Sequence, residues 1–149
     1  YYGRLFFNVK NREPRGIIPR QNYEFFRNEL ITALEDQRDE TCRKINTRVF
    51  KPENIYTECR NIPPDLIVYY GDLAWRSIGS VGHNTLWANE NDTGADDANH
   101  SQHGIFVMSG DNGYHSEKRN GLQIMDVAPT VLDRMGIDIP WNMEGKVIK

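Results

Sequence analysis

Asp65-Leu66-Ile67-Val68-Tyr69-Tyr70 is the stretch that decides the fold. An apolar run with little polar alternation is the signature of a strand covered on both faces. Such a strand needs packed layers around it, so flanking helices are expected. Working outward, residues 22–37 supply the first helix. Asn22 suits an N-cap, and Tyr23, Phe26, Leu30 and Leu34 recur at helical spacing. That stripe is predicted to lie on the sheet, leaving Arg27, Asn28, Glu35 and Asp36 on the opposite side. Residues 4–10 and 45–50 read as further strands. Residues 11–19, with two prolines and a glycine, read as a loop. Residues 37–43 form a polar turn, and residues 52–56 a short helical turn that Pro52 can open. Residues 73–78 are predicted to pair beside the central strand through the turn at Gly71-Asp72.

Towards the C-terminus, Gly104-Ile105-Phe106-Val107-Met108-Ser109-Gly110 predicts a second buried strand bounded by glycines. Asp126 is read as the N-cap of a helix running to Met135. Pro129 falls in its first turn, where a missing N–H does no harm, and Gly136 sits at the C′ position that ends it. The expected fold class is α/β, a layered sheet with flanking helices.

Size and composition narrow the partners. The 149 residues fit one domain or part of a larger one. A net charge of −3 argues against a nucleic-acid duplex as partner. No segment approaches the roughly 18 uninterrupted apolar residues of a membrane span. Cys42 and Cys59 are expected to be ordinary thiols of a reducing, cytoplasmic compartment. The chain opens on Tyr1-Tyr2-Gly3-Arg4-Leu5-Phe6-Phe7-Asn8-Val9, an aromatic strand without an initiator Met, so it is expected to be cut from something longer.

All four histidines, His83, His100, His103 and His115, lie between Arg76 and Lys118, a stretch with no other lysine or arginine. The same stretch carries Glu90, Asp92, Asp96, Asp97, Asp111 and Glu117. Imidazoles and carboxylates bind divalent metals, and fixed cations nearby would oppose that binding. Residues 79–103 form a long polar loop, a length that is usually functional or mobile. The bland alternative is a solvated acidic loop whose histidines titrate near neutral pH.

His100-Ser101-Gln102-His103-Gly104-Ile105-Phe106-Val107-Met108-Ser109-Gly110 resembles the last metal-ligand motif of the alkaline phosphatase superfamily, in its phosphodiesterase and phosphomutase-like members. Ile124-Met125-Asp126-Val127-Ala128-Pro129-Thr130-Val131-Leu132, Met135-Gly136-Ile137, Ile139-Pro140 and Met143-Glu144-Gly145-Lys146-Val147 are similar to the closing segments of the same group. Asn11-Arg12-Glu13-Pro14-Arg15-Gly16-Ile17-Ile18 and Pro64-Asp65-Leu66-Ile67-Val68 resemble segments of its phosphohydrolases and phosphomutases. The pieces occur in order over nearly the whole chain.

The resemblance implies an alkaline-phosphatase-like fold, present as its C-terminal part over residues 1–149. It also implies a phosphoester hydrolase using two divalent ions, most commonly zinc, on a small phosphoester substrate. His100 takes the position of the final histidine ligand. His103, Asp96 and Asp97 are weaker ligand candidates, and His83 and His115 are expected to be loop residues or to support the ligands without touching the metal. Asp126 and Thr130 are expected to be structural. No Asp-His dipeptide occurs in the chain, so the nucleophile and remaining ligands are expected in a missing N-terminal half. Zinc generally takes three or four protein ligands, so the chain is expected to be catalytically incomplete. Pairing with that half, or homo-oligomerisation, is expected through an unpaired strand edge or an exposed apolar face. The alternatives are a phosphomutase and a non-catalytic interaction scaffold that kept the fold and lost the metals.

Overall fold

A computed structural model describes residues 2–88, 98–109 and 120–149. The chain divides into two compact units, Tyr1–Ile105 and Phe106–Lys149. The first is a small mixed α/β unit. Among the described residues it holds strands β1 (Gly3–Leu5), β2 (Arg48–Phe50) and β3 (Leu66–Tyr69), and helix α1 (Tyr23–Glu35). The sheet order is β1-β3-β2 with both pairings antiparallel. Val68 lies opposite Gly3 on one side and Val49 on the other.

The central strand behaves as its apolar run predicts. Leu66, Ile67 and Val68 are all buried, although successive side chains point to opposite faces. Phe7, Val9 and Leu66 form the core, with Leu5, Ile18, Tyr23, Leu30, Ile31 and Val49 packed around it. Full burial of residues such as Leu66 and Val68 contributes about 1.5–3 kcal/mol each.

Several boundaries differ from expectation, each for a local reason. The strand expected over residues 4–10 ends at Leu5. There the Asp65 carboxylate takes the next rung, accepting the Phe7 N–H at 2.5 Å. Residues 7–18 then close into a loop in which Lys10 N–H donates to the Ile18 carbonyl and Glu13 N–H to that of Val9. The strand expected from residue 45 begins only at Arg48, because Asn46 has φ 54° and cannot continue an extended run. Residues 73–78 do not pair with β3. Gly71, Asp72 and Leu73 have φ of 57°, 54° and 74°, and these left-handed residues turn the chain out of the sheet. The helical turn at Pro52–Asn54 is as read from sequence.

The largest correction is residues 104–110. Residues 104–109 form no strand, and Ile105 and Val107 are 95% and 84% exposed. Apolar, β-prone composition is not enough, because a strand needs a ladder partner, and among the described residues none pairs with residues 104–109.

Helix α1 corrects the expected stripe. Arg27 is the buried residue, 3% exposed, whereas Phe26 is 41% exposed and stacks edge-on against Phe25. Tyr23, Arg27, Leu30, Ile31 and Leu34 make the packed face, a regular helical spacing with a guanidinium at one core position.

In the second unit α2 spans Val127–Arg134. It ends on Gly136, whose N–H donates to the Asp133 carbonyl while Ile137 N–H donates to that of Leu132. That pattern requires the left-handed φ of 66° at Gly136. Asp126 does not cap α2 through its side chain. Its carboxylate accepts the N–H groups of Gln123 and Lys146, tying the helix entry to the closing segment. Thr130 is fully buried, donates to the Asp126 carbonyl and accepts the Ile148 N–H, which is the structural part expected of it. Gly145 passes so close to the Met125 carbonyl that a Cβ there would sit 1.9 Å from the oxygen. No helix among the described residues is long and apolar enough to cross a membrane.

Candidate functional site

The histidine-bearing segment is anchored at the C-terminal end of β3. The turn Tyr70–Leu73 follows that strand directly. The Asn99 side-chain amide donates to the Leu73 carbonyl at 2.5 Å, and its oxygen accepts the His100 N–H at 2.9 Å. Two residues on, Gln102 Nε2 donates to Asp72 Oδ1 at 3.2 Å. Arg48, on β2, reaches the same carboxylate oxygen at 3.2 Å. Backbone conformations of the kind seen at Asp72 and Leu73 cost on the order of 1–3 kcal/mol each and cluster at functional sites. Trp75 packs over Gly71 in the same turn, and its indole lies 4.9 Å from that of Trp87.

His100 is exposed at this end of the sheet, as is His103, whose N–H donates to Ser101 Oγ. His83 lies elsewhere on the loop, with Nε2 2.8 Å from Ser80 Oγ. Asp96, Asp97 and His115 lie outside the described residues, as do Glu90, Asp92, Asp111 and Glu117. Among the described residues no three His, Cys, Asp or Glu side chains come together to hold a metal ion. The described donors alone therefore do not complete a two-metal centre. Cys42 and Cys59 are free, exposed thiols.

The opposite, N-terminal end of β3 holds a charged cluster that composition did not announce. Asp65 accepts two parallel hydrogen bonds from Arg12, at 2.6 and 2.7 Å, together with the Phe7 N–H and the Tyr23 hydroxyl. Arg12 also donates to the Phe7 carbonyl and to Glu13, whose carboxylate caps the Val9 N–H. Arg27 donates to Glu24, to both oxygens of Glu53 and to the Asp65 carbonyl. The Tyr23 ring lies between the two guanidiniums, 5.6 Å from Arg12 and 5.1 Å from Arg27.

Burial pushes the Asp65 carboxyl up, but the Arg12 guanidinium, the Phe7 N–H and the Tyr23 hydroxyl outweigh it, and Asp65 lies below the usual carboxylate range. Burial and the Asp65 acceptor raise the Tyr23 phenol to about 12. Every Asp65 oxygen is occupied from within the chain, so the cluster reads as scaffold. It joins residues 11–18 to residues 64–68, the two upstream segments singled out from sequence. Arg27 was legible in principle, because it stands at helical spacing from Tyr23, Leu30 and Ile31. Its charge argued for solvent, and apart from Glu24 its partners, Glu53 and the Asp65 carbonyl, lie 26 and 38 residues away.

Compared with family models, curated proteins and solved structures, the chain matches none.

Proposed function

We propose that this chain contributes His100 as one metal ligand of a phosphoester hydrolase of the phosphodiesterase or nucleotide pyrophosphatase type. In this reading the sheet belongs to a larger alkaline-phosphatase-like layer, and residues 1–149 are not catalytically complete by themselves. The nucleophile and the remaining ligands come from polypeptide outside these residues. A cytoplasmic location, a small phosphoester substrate, and association with the missing half or with a second copy are parts of the same reading.

The observation that carries it is the tethering of residues 99–102 to the end of the central strand. Binding and catalytic residues are disproportionately carried on loops held by a rigid scaffold. His100 stands there on a segment fixed by Asn99 and Gln102. The ordered succession of resembling segments supplies the reaction type. Divalent cations at such a site would supply the positive charge that a transferring phosphoryl group requires.

The test is metal analysis and hydrolysis of bis-p-nitrophenyl phosphate by the complete gene product and its His100→Ala variant. Two bound divalent ions per chain and a rate loss of about 100-fold or more in the variant are expected, the scale of removing one transition-state stabilising group. A metal-replete protein inert towards every phosphoester tried overturns the reading. Phosphate moved within one substrate molecule would instead mark a phosphomutase, and a complete protein that binds no metal would mark a scaffold.

A further inference from the structure

We propose that Asn99 is a positioning residue, whose single side-chain amide links the end of the central strand to the backbone of His100 and thereby sets where the imidazole stands. Its consequence for metal binding rests on the function proposed above, whereas the bridge itself does not.

A carboxamide carries a donor and an acceptor on one carbon, a combination found in Asn and Gln side chains. Asn99 uses both. Its nitrogen donates to the Leu73 carbonyl at 2.5 Å, and its oxygen accepts the His100 N–H at 2.9 Å. The acceptor is itself held in place. Leu73 is a buried leucine with φ 74°, an outlying backbone for a side chain of that size. Ala74 N–H closes the turn beneath it onto the Gly71 carbonyl.

A second tether, Gln102 to Asp72, holds the other end of the same short segment, and Arg48 shares the Asp72 oxygen. His100 lies between the two tethers. One strained turn therefore receives both ends of the span that carries the candidate ligand. A buried leucine in a costly backbone conformation is hard to account for as loop packing alone. It is accounted for if the geometry of its carbonyl matters.

The variants separate the two halves of the amide. Asn99→Asp keeps the acceptor but turns an oxygen towards the Leu73 carbonyl. Asn99→Gln keeps both groups at the cost of one methylene. The first readout is the His100 backbone and ring resonances of the chain labelled on histidine, assigned through His100→Ala. Asn99→Asp should move and broaden the His100 signals while those of His83 stay in place, and Asn99→Gln should restore them. The second readout is Zn2+ affinity of the complete gene product, expected to fall about 10–100-fold in Asn99→Asp, the usual effect of losing a partner that orients a metal ligand. Asn99→Ala carries the same readouts if the aspartate variant does not fold.

Unchanged His100 resonances in Asn99→Asp overturn the inference, as does a uniform change across all histidines that Asn99→Gln fails to reverse. If His100→Ala leaves Zn2+ affinity untouched, the proposed function fails, and the resonances alone then decide whether the bridge exists.

Discussion

At the scale of single residues, Asp65 is the group with most at stake. It is 3% exposed, yet charged, and stays so because Arg12, Tyr23 and the Phe7 N–H fill its oxygens. Arg12 is 39% exposed, so water partly compensates it once the Asp65 charge is removed, and the cost is that of losing hydrogen bonds to a charged group, about 1.5–3 kcal/mol. Asp65→Asn keeps the shape and removes the charge, so urea unfolding should show a loss of that size. A loss below about 1 kcal/mol would mean that Arg12 is solvated well enough without its partner. Sequence inspection places Asp65 at the head of a strand and stops there. What it binds depends on a loop 53 residues earlier in the chain.

At the scale of elements, α1 separates periodicity from chemistry. The helix is legible from its spacing, and its observed span, Tyr23–Glu35, falls inside the expected residues 22–37. Its rotation is not legible, because an apolar count favours Phe26 over Arg27. The two faces give opposite expectations. Arg27→Ala should cost about 2–3 kcal/mol, since it removes a buried side chain and leaves the buried Asp65 carbonyl without its donor, while the half-exposed Glu53 turns to water. Phe26→Ser should stay within about 1 kcal/mol, as exposed substitutions usually do. Thermal or urea unfolding of both variants decides between the faces, and the reverse ranking would show that the helix packs as its apolar stripe suggested. Residues 104–109 teach the complementary lesson. Their composition satisfies the local criteria for a buried strand, but a strand is defined by a partner, and among the described residues they have none.

At the scale of the whole molecule, paired carboxylates govern the response to acid. Asp65, Glu24 and Glu53 all lie below their ordinary range. Glu24 is held there by Lys51 and Arg27, and Glu53 by Arg27. A depressed folded-state value means that the contribution is complete above the unfolded value, about 4 for such groups, and is lost as pH falls through the folded one. The melting temperature should therefore be level from about pH 5 to 8 and fall below about pH 4. Tyr23 has the opposite sign. Its raised value gives stability that is complete below about 10 and is lost as pH climbs towards about 12. A melting temperature that rises on acidification below pH 4 would contradict the charge pairing around Arg12 and Arg27.

Local pattern alone specifies the buried central strand, the two helices and the turn at Pro52. Each of these follows from interactions between residues a few positions apart. It also singled out the loop carrying His100, through a local contrast in composition. Which face of α1 is buried, why the first strand stops at Leu5 and where His100 stands emerge only once the chain is folded. Those outcomes rest on partners far away in the chain, 58 residues between Phe7 and Asp65 and 26 between Leu73 and Asn99, and no local pattern encodes a contact at that range.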